Sequence, residues 1–286
     1  MQLIKNIKEC KKIIGGLKRN SQKTGLVPTM GELHGGHLSL AQTARLECDK
    51  VFMTIFVNPT QFGPDEDFNK YPRDLKGDTA LAESAGVDYI FAPEAGEIYK
   101  KDSRTIVEVE GLSTPMCGKK RPGHFKGVAT IVLKLFNIIP AGRAYFGEKD
   151  YQQLVIIKKM VSDLNLDIKI RECPTIREKD GLALSSRNKY LLKGERENAS
   201  IIYKTLKQTK RKIEEGEEDF KLIIEQATKK MQKAPHLKEV EYFDIRNAET
   251  LEKINKRKGS KEVLIAAAAW FGGTRLIDNI VIKEKK

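Results

Sequence analysis

The chain is poor in the residues that mark secreted, membrane-borne or metal-built proteins. Its four cysteines, Cys10, Cys48, Cys117 and Cys173, are scattered with no close pairing, which argues against a disulfide framework and suits reduced thiols in a cytoplasm. Only four histidines are present, and beside unpaired cysteines they do not make up the three or four ligands of a zinc centre. No apolar run approaches the ~20 residues of a membrane span. At the N-terminus, MQLIKNIKECKKII breaks its apolar positions with lysines at helical spacing, the pattern of an amphipathic helix rather than of a signal peptide. Arginine-rich tracts, low-complexity linkers and internal repeats are all missing.

Hydrophobic residues make up 40% and charged residues 32% of 286 positions, enough for a packed core under a solvated surface. Basic residues exceed acidic ones by 13, which raises a nucleic-acid hypothesis. The distribution weakens it: from Tyr203 to Lys233 lysines are interleaved with glutamates, as on a solvated helix face. With aromatics at 7%, steering of anionic small substrates such as ATP accounts for the excess charge more economically.

Short apolar runs alternate with helical patterns through the first ~175 residues, which predicts an α/β fold with a Rossmann-like, mostly parallel sheet. Strands are expected at Thr24–Thr29, Val51–Val57, Val87–Pro93, Arg143–Phe146 and Asp167–Glu172. Helices are expected at Gly36–Cys48, Leu75–Ala85, His124–Ile139 and Tyr151–Leu164. After Pro174 comes a loop-like stretch, then two charged amphipathic helices, about Glu195–Glu214 and Asp219–Gln232, and strands at Val240–Arg246, Val263–Trp270 and Arg275–Ile282. The division expected is a sheet domain over 1–175 and a smaller C-terminal α+β domain over 176–286 that closes over the active site.

The run Val27-Pro28-Thr29-Met30-Gly31-Glu32-Leu33-His34-Gly35-Gly36-His37-Leu38 carries the most chemistry. An apolar strand enters a helix through His-x-Gly-His, a turn whose glycines allow close backbone approach and whose helix N-terminus attracts negative charge. At three-residue spacing both imidazoles fall on one face of the first helical turn and can donate to the same phosphate. Plain helix capping would explain one histidine but does not call for two flanking two glycines.

Four polar segments follow strand ends, where open α/β sheets bind ligands, and are expected to converge on one crevice. They are His34–His37; Phe56-Val57-Asn58-Pro59-Thr60-Gln61-Phe62-Gly63 with the acidic loop Pro64-Asp65-Glu66-Asp67; Tyr145-Phe146-Gly147-Glu148-Lys149-Asp150-Tyr151-Gln152-Gln153; and Asp180-Gly181-Leu182-Ala183-Leu184-Ser185-Ser186-Arg187-Asn188. With Arg121-Pro122-Gly123-His124-Phe125-Lys126-Gly127 and Thr274-Arg275-Leu276-Ile277-Asp278-Asn279 added, the chain resembles the pantothenate synthetases, or pantoate-β-alanine ligases, over nearly its whole length. His-x-Gly-His alone is shared across the class I nucleotidyltransferase-like superfamily, including aminoacyl-tRNA synthetases, whereas FVNPTQF and YFGEKDYQQL in order are far more specific.

That resemblance implies ATP-dependent ligation of pantoate and β-alanine to pantothenate through a pantoyl adenylate, with AMP and pyrophosphate released, in a cytoplasmic homodimer using Mg²⁺. It further implies nucleotide contacts from Met30, Gly31, Glu32, Leu33, His34, Gly35, Gly36 and His37, from Gly147, Glu148, Lys149 and Asp150, and from Ile176, Leu184, Ser185, Ser186 and Arg187. His37, His34 and Lys149 are the implied catalytic donors. Gln61, Gln153 and Asn58 are carried over as substrate ligands, and Asp78 matches the family's metal-proximal aspartate. Amides suit this substrate: an arginine fork would hold the pantoate carboxylate but damp its nucleophilicity, whereas glutamine orients oxygens without neutralising them.

Plainer roles are open to some of these residues. Ser185-Ser186 alone would be a turn or N-cap, and His124, at the start of an apolar helix, is explained by capping or packing, although Arg121 and Lys126 nearby allow a pyrophosphate contact. A tRNA-charging relative is disfavoured because ~110 residues after the sheet domain leave no room for an anticodon-reading domain. Neither nucleic acid nor membrane is expected as a partner.

Overall fold

The computed structural model describes residues 1–64, 66–257 and 262–284, so Asp65 of the acidic loop lies outside the described residues. Strands are β1 Gln2–Ile4, β2 Thr24–Thr29, β3 Lys50–Ile55, β4 Tyr89–Phe91, β5 Arg143–Gly147, β6 Lys169–Cys173, β7 Leu237–Asn247, β8 Val263–Phe271 and β9 Thr274–Ile282. Helices are α1 Ile7–Arg19, α2 Gly35–Glu47, α3 Leu75–Ser84, α4 Ala95–Ile98, α5 Cys117–Lys120, α6 His124–Ile138, α7 Tyr151–Asp163, α8 Lys193–Ala199, α9 Ile201–Glu214 and α10 Phe220–Gln232. They fall into two compact units: 1–114, 118–148 and 153–174 in the first, 115–117, 149–152 and 175–286 in the second.

The first unit is built on a six-stranded sheet in the order β1-β4-β3-β2-β5-β6, with every registered pair parallel. Its central strands read as continuous apolar runs because both faces are covered: Leu26, Val27, Val51, Phe52, Met53 and Ala144 are fully buried. Strand order reverses between β2 and β5, which leave the sheet in the same direction. That reversal is the switch point where doubly wound sheets bind ligands. In α6, Phe125, Val128, Val132, Leu135 and Phe136 form the buried stripe expected from three- and four-residue spacing.

Two local expectations change. The amphipathic N-terminal stretch is a strand followed by a helix: Asn6, with extended φ −127° and ψ 150°, caps α1 by accepting the Glu9 N–H at 2.8 Å. Residues before it are thereby freed to pair as β1 with β4. The single helix expected over Glu195–Glu214 is two, α8 and α9, parted at Ser200, where ψ rises to −9° and stops the helical ladder.

In the second unit, β7-β8-β9 form an antiparallel sheet. One face of β8, with Val263, Ile265, Ala267, Ala269 and Phe271, packs in a core with Ile202 and Leu206 of α9 and Phe220, Ile223, Ala227 and Met231 of α10. This covers one face of the meander, as three strands require for stability. No helix among the described residues is long and apolar enough to cross a membrane.

Candidate active site

At the end of β2 the chain turns into α2 through backbone that most side chains resist. Gly31 has φ +86° and Glu32 φ +53°, and a Cβ on Gly31 would sit 2.8 Å from Asp78 Oδ2. Only glycine fits there. Asp78, buried on α3, accepts the N–H groups of Glu32 at 2.9 Å and Leu33 at 2.7 Å, one on each carboxylate oxygen. Burial pushes its carboxyl above the usual range, and the two backbone bonds oppose that rise. The geometry therefore gives Asp78 the work of shaping the His-x-Gly-His loop. Among the described residues no group of three His, Cys, Asp or Glu is placed to hold a metal ion.

His34 caps α2 with φ −142° and ψ 173°, its Nδ1 accepting the Gly36 N–H at 3.1 Å. In a neutral ring that bond fixes the proton on Nε2, so the cap uses one nitrogen of the imidazole and leaves the other a donor. The His37 ring centroid lies 4.1 Å from that of His34, tilted by 35°. Spacing had put both rings on one face, and they are there.

The amide turn lies in the same unit. Gln61 ends a 3₁₀ turn, Pro59–Gln61, that follows Asn58. Asn58 is 1% exposed. Its Nδ2 donates to Gln61 Oε1 and to Gly127 O, each at 3.1 Å, and its Oδ1 accepts from Tyr99 Oη at 2.8 Å and Thr60 Oγ1 at 3.0 Å. Both amide protons are thus spent within the protein, one of them on orienting Gln61. Because Gln61 Oε1 accepts, its Nε2 is left to donate, and it lies 3.0 Å from Met30 Sδ, bringing the amide turn to the start of the His loop.

The backbone of Gln61 is clamped as well. His124 Nδ1 lies 2.8 Å from Gln61 O, which can only accept, so this nitrogen carries the proton. His124 Nε2 then accepts from Arg121 Nη1 at 3.1 Å in the neutral tautomer. Arg121 in turn pairs with Glu66 through Nε, at 2.8 Å, and through Nη2. His124 thus links Arg121 to the backbone of the amide turn. Sequence reasoning could not find this, since the partners lie 63 residues apart.

Gly147, paired with Cys173 at the end of β5, leads through Glu148 into the 149–152 turn of the second unit. There Lys149 is half-buried, with Nζ 3.8 Å from Asp150 Oδ2. On α7 the half-buried Gln153 belongs to the first unit, while buried Gln152 ties Pro115 O and the Cys117 N–H at 2.8 and 3.1 Å. The loop-like stretch after Pro174 is a tight hairpin in which Arg177 bridges Ala183, and the Leu184 N–H donates to Ile176 O at 2.9 Å. Ile176 and Leu184, the two apolar residues carried over toward the adenine, are thereby neighbours, and Ile176 stays 38% exposed despite its apolar side chain. Ser185 caps the 3₁₀ turn Ser186–Tyr190, its Oγ 3.3 Å from the Arg187 N.

A parallel sheet with its switch point beside a His-x-Gly-His helix entry defines a nucleotide-handling α/β enzyme of the class I nucleotidyltransferase-like type. The pantoate-beta-alanine ligase family model matches residues 2–281. The pantothenate synthetase of Caldicellulosiruptor bescii is 50% identical over 285 residues, covering 100% of both chains, and that of Acetivibrio thermocellus is 50% identical over 99% of this chain and 100% of its own. Among solved structures, the pantothenate synthetase of Thermus thermophilus superposes with a TM-score of 0.91 at 40% identity, covering 98% of this chain and 99% of that one. A Francisella tularensis pantoate-beta-alanine ligase, complexed with beta-gamma ATP and beta-alanine, gives 0.78 at 36% identity over 98% and 97%. The chain belongs to the pantoate-β-alanine ligase family, and it is an ATP-dependent ligase that joins pantoate and β-alanine into pantothenate.

Proposed function

We propose that the ligation runs through a pantoyl adenylate. A pantoate carboxylate oxygen attacks the α-phosphorus of ATP and pyrophosphate leaves; the β-alanine amine then attacks the acyl carbon, forms the amide bond and displaces AMP. In the first step charge grows on the phosphoryl oxygens and the leaving group, so the catalyst needed is a set of fixed donors. His34 Nε2–H, His37 and Lys149 are assigned that role, and Met30–His37, Gly147–Asp150, Ile176 and Leu184–Arg187 are assigned nucleotide contacts, on the family resemblance. Gln61 and Gln153 orient pantoate.

The observation that carries this reading is the tilted His34–His37 pair at the switch point, together with a Gln61 amide turned so that its N–H₂ donates. Carboxylate oxygens meet a neutral donor there, which leaves them nucleophilic. Mg²⁺ belongs to the proposal as an ion brought by ATP, where it neutralises phosphate charge. A cytoplasmic location and a homodimer are proposed on the family resemblance, the thiols being unpaired.

Pyrophosphate–ATP exchange tests the intermediate. Exchange is expected to require pantoate and to proceed without β-alanine. Absence of exchange until β-alanine is added would remove the adenylate. Exchange driven by an α-amino acid and not by pantoate would move the chain toward the aminoacyl-tRNA synthetase relatives.

A further inference from the structure

The reaction leaves the late segment Thr274–Asn279 without work, yet it holds a buried carboxylate and a buried amide. On β9, Asp278 is 4% and Asn279 7% exposed. Asn279 Nδ2 donates to Lys149 O at 2.9 Å. Asp278 accepts both arms of the Arg177 fork, at 2.6 and 2.9 Å, and its Oδ1 also accepts the Asn279 N–H at 2.8 Å. Arg177 extends the connection: Nη1 donates to Gly181 O at 3.1 Å, and its guanidinium lies 3.8 Å from the centre of the Tyr203 ring.

Burying a carboxylate and an amide costs free energy that an apolar pair would not, unless their bonds do something packing cannot. What these bonds hold in common is position. One ends on the carbonyl of Lys149, the other on the residue between Ile176 and the hairpin turn. We infer that Asp278 and Asn279 are positioning residues for the nucleotide, setting from one strand the turn that carries Lys149 and the hairpin that carries Ile176 and Leu184. The inference rests on the roles proposed above for those residues.

Burial pushes the Asp278 carboxyl upward; the Arg177 fork and the nearby Lys149 ammonium pull it back toward the charged form. The carboxylate thus sees both of the elements it aligns. Loss of the Asn279 side-chain N–H₂ would remove the bond that holds the Lys149 carbonyl while the Lys149 ammonium remains, so the defect should be in placing charge rather than in supplying it.

A double-mutant cycle read by pantoate-dependent pyrophosphate–ATP exchange, with a thermal melt of each variant, tests this. Asn279→Ala and the equal-sized Asn279→Asp, which lacks the donor, are both expected to lower exchange kcat about tenfold, with melting temperatures within a few degrees of the parent. In a Lys149→Ala background the further loss from Asn279→Ala should be under about twofold. Equal losses in the two backgrounds, or undiminished exchange in Asn279→Asp, overturns the inference. Undiminished exchange in Lys149→Ala alone instead overturns the role of Lys149. For the other arm, Arg177→Lys keeps the charge but loses the fork; it should raise the ATP KM several-fold, and an unchanged KM removes Asp278 from the inference.

Discussion

Asn58 donates an amide proton to Gln61 Oε1 at 3.1 Å, and this one bond decides which end of the Gln61 amide is left to donate. Asn58→Ala frees the Gln61 amide to rotate and removes the bonds that Asn58 makes to Gly127 O and Tyr99 Oη, the latter keeping Thr60 Oγ1 at 3.2 Å. A cost of about 1–3 kcal/mol is usual for such losses. The pantoate KM is expected to rise about tenfold with kcat changed less, and steady-state kinetics at saturating ATP and β-alanine check it. A fall in kcat alone would give Asn58 a different job.

Gly127 leaves no room for a side chain. A Cβ there would stand 2.3 Å from Thr60 O and 2.6 Å from the Gln61 N, so Gly127→Ala must displace the 59–61 turn from α6. The expected result is a raised pantoate KM and a destabilisation of about 1–3 kcal/mol, the usual cost of overpacking. Urea unfolding and pantoate titration read the two effects separately.

His37 has a sharper signature. As a donor to developing phosphoryl charge, it should cost on the order of 10²-fold in kcat when changed to alanine, the scale of one preorganised donor, with the melting temperature unaffected. His34→Ala should lower both rate and stability, because its Nδ1 also caps α2. Unchanged turnover in His37→Ala would leave that ring a packing residue.

Lys149 and Gln153 should divide labour. Lys149→Ala removes charge that matters most as the phosphoryl group transfers, so kcat should fall by roughly 10²- to 10³-fold. Gln153→Ala removes binding shared by ground and transition states and should act chiefly on the pantoate KM. The reverse pattern in steady-state kinetics would exchange the two roles.

Acid should weaken the hairpin of the second unit. Arg196 Nη1 donates to Asp180 Oδ2 at 2.6 Å, and this bond holds the Asp180 carboxyl below the usual range. A carboxyl with a lowered folded pKa adds stability above its unfolded value, about 3.9, and loses it as the pH falls through the folded value. The gap in melting temperature between the parent and Asp180→Asn should therefore be widest near pH 6 and close below about pH 4. Calorimetry at fixed ionic strength reads it, and parallel curves would contradict the assignment.

The sequence alone determined the elements that periodicity and short-range chemistry control. The parallel strands, the glycine-bearing entry to α2 and the apolar stripe of α6 stand close to where their patterns put them. Local geometry also placed the two histidines on one helical face. Tertiary structure decided which polar groups are spent on the protein itself. Asp78 accepts from residues 45 and 46 positions away, His124 clamps a carbonyl 63 positions away, and Asn279 reaches across 130. A carboxylate or an amide has the same chemistry whether or not it is spent in this way, so no spacing along the chain distinguishes the two cases. Only the fold, by choosing the partner that satisfies each buried group, does so.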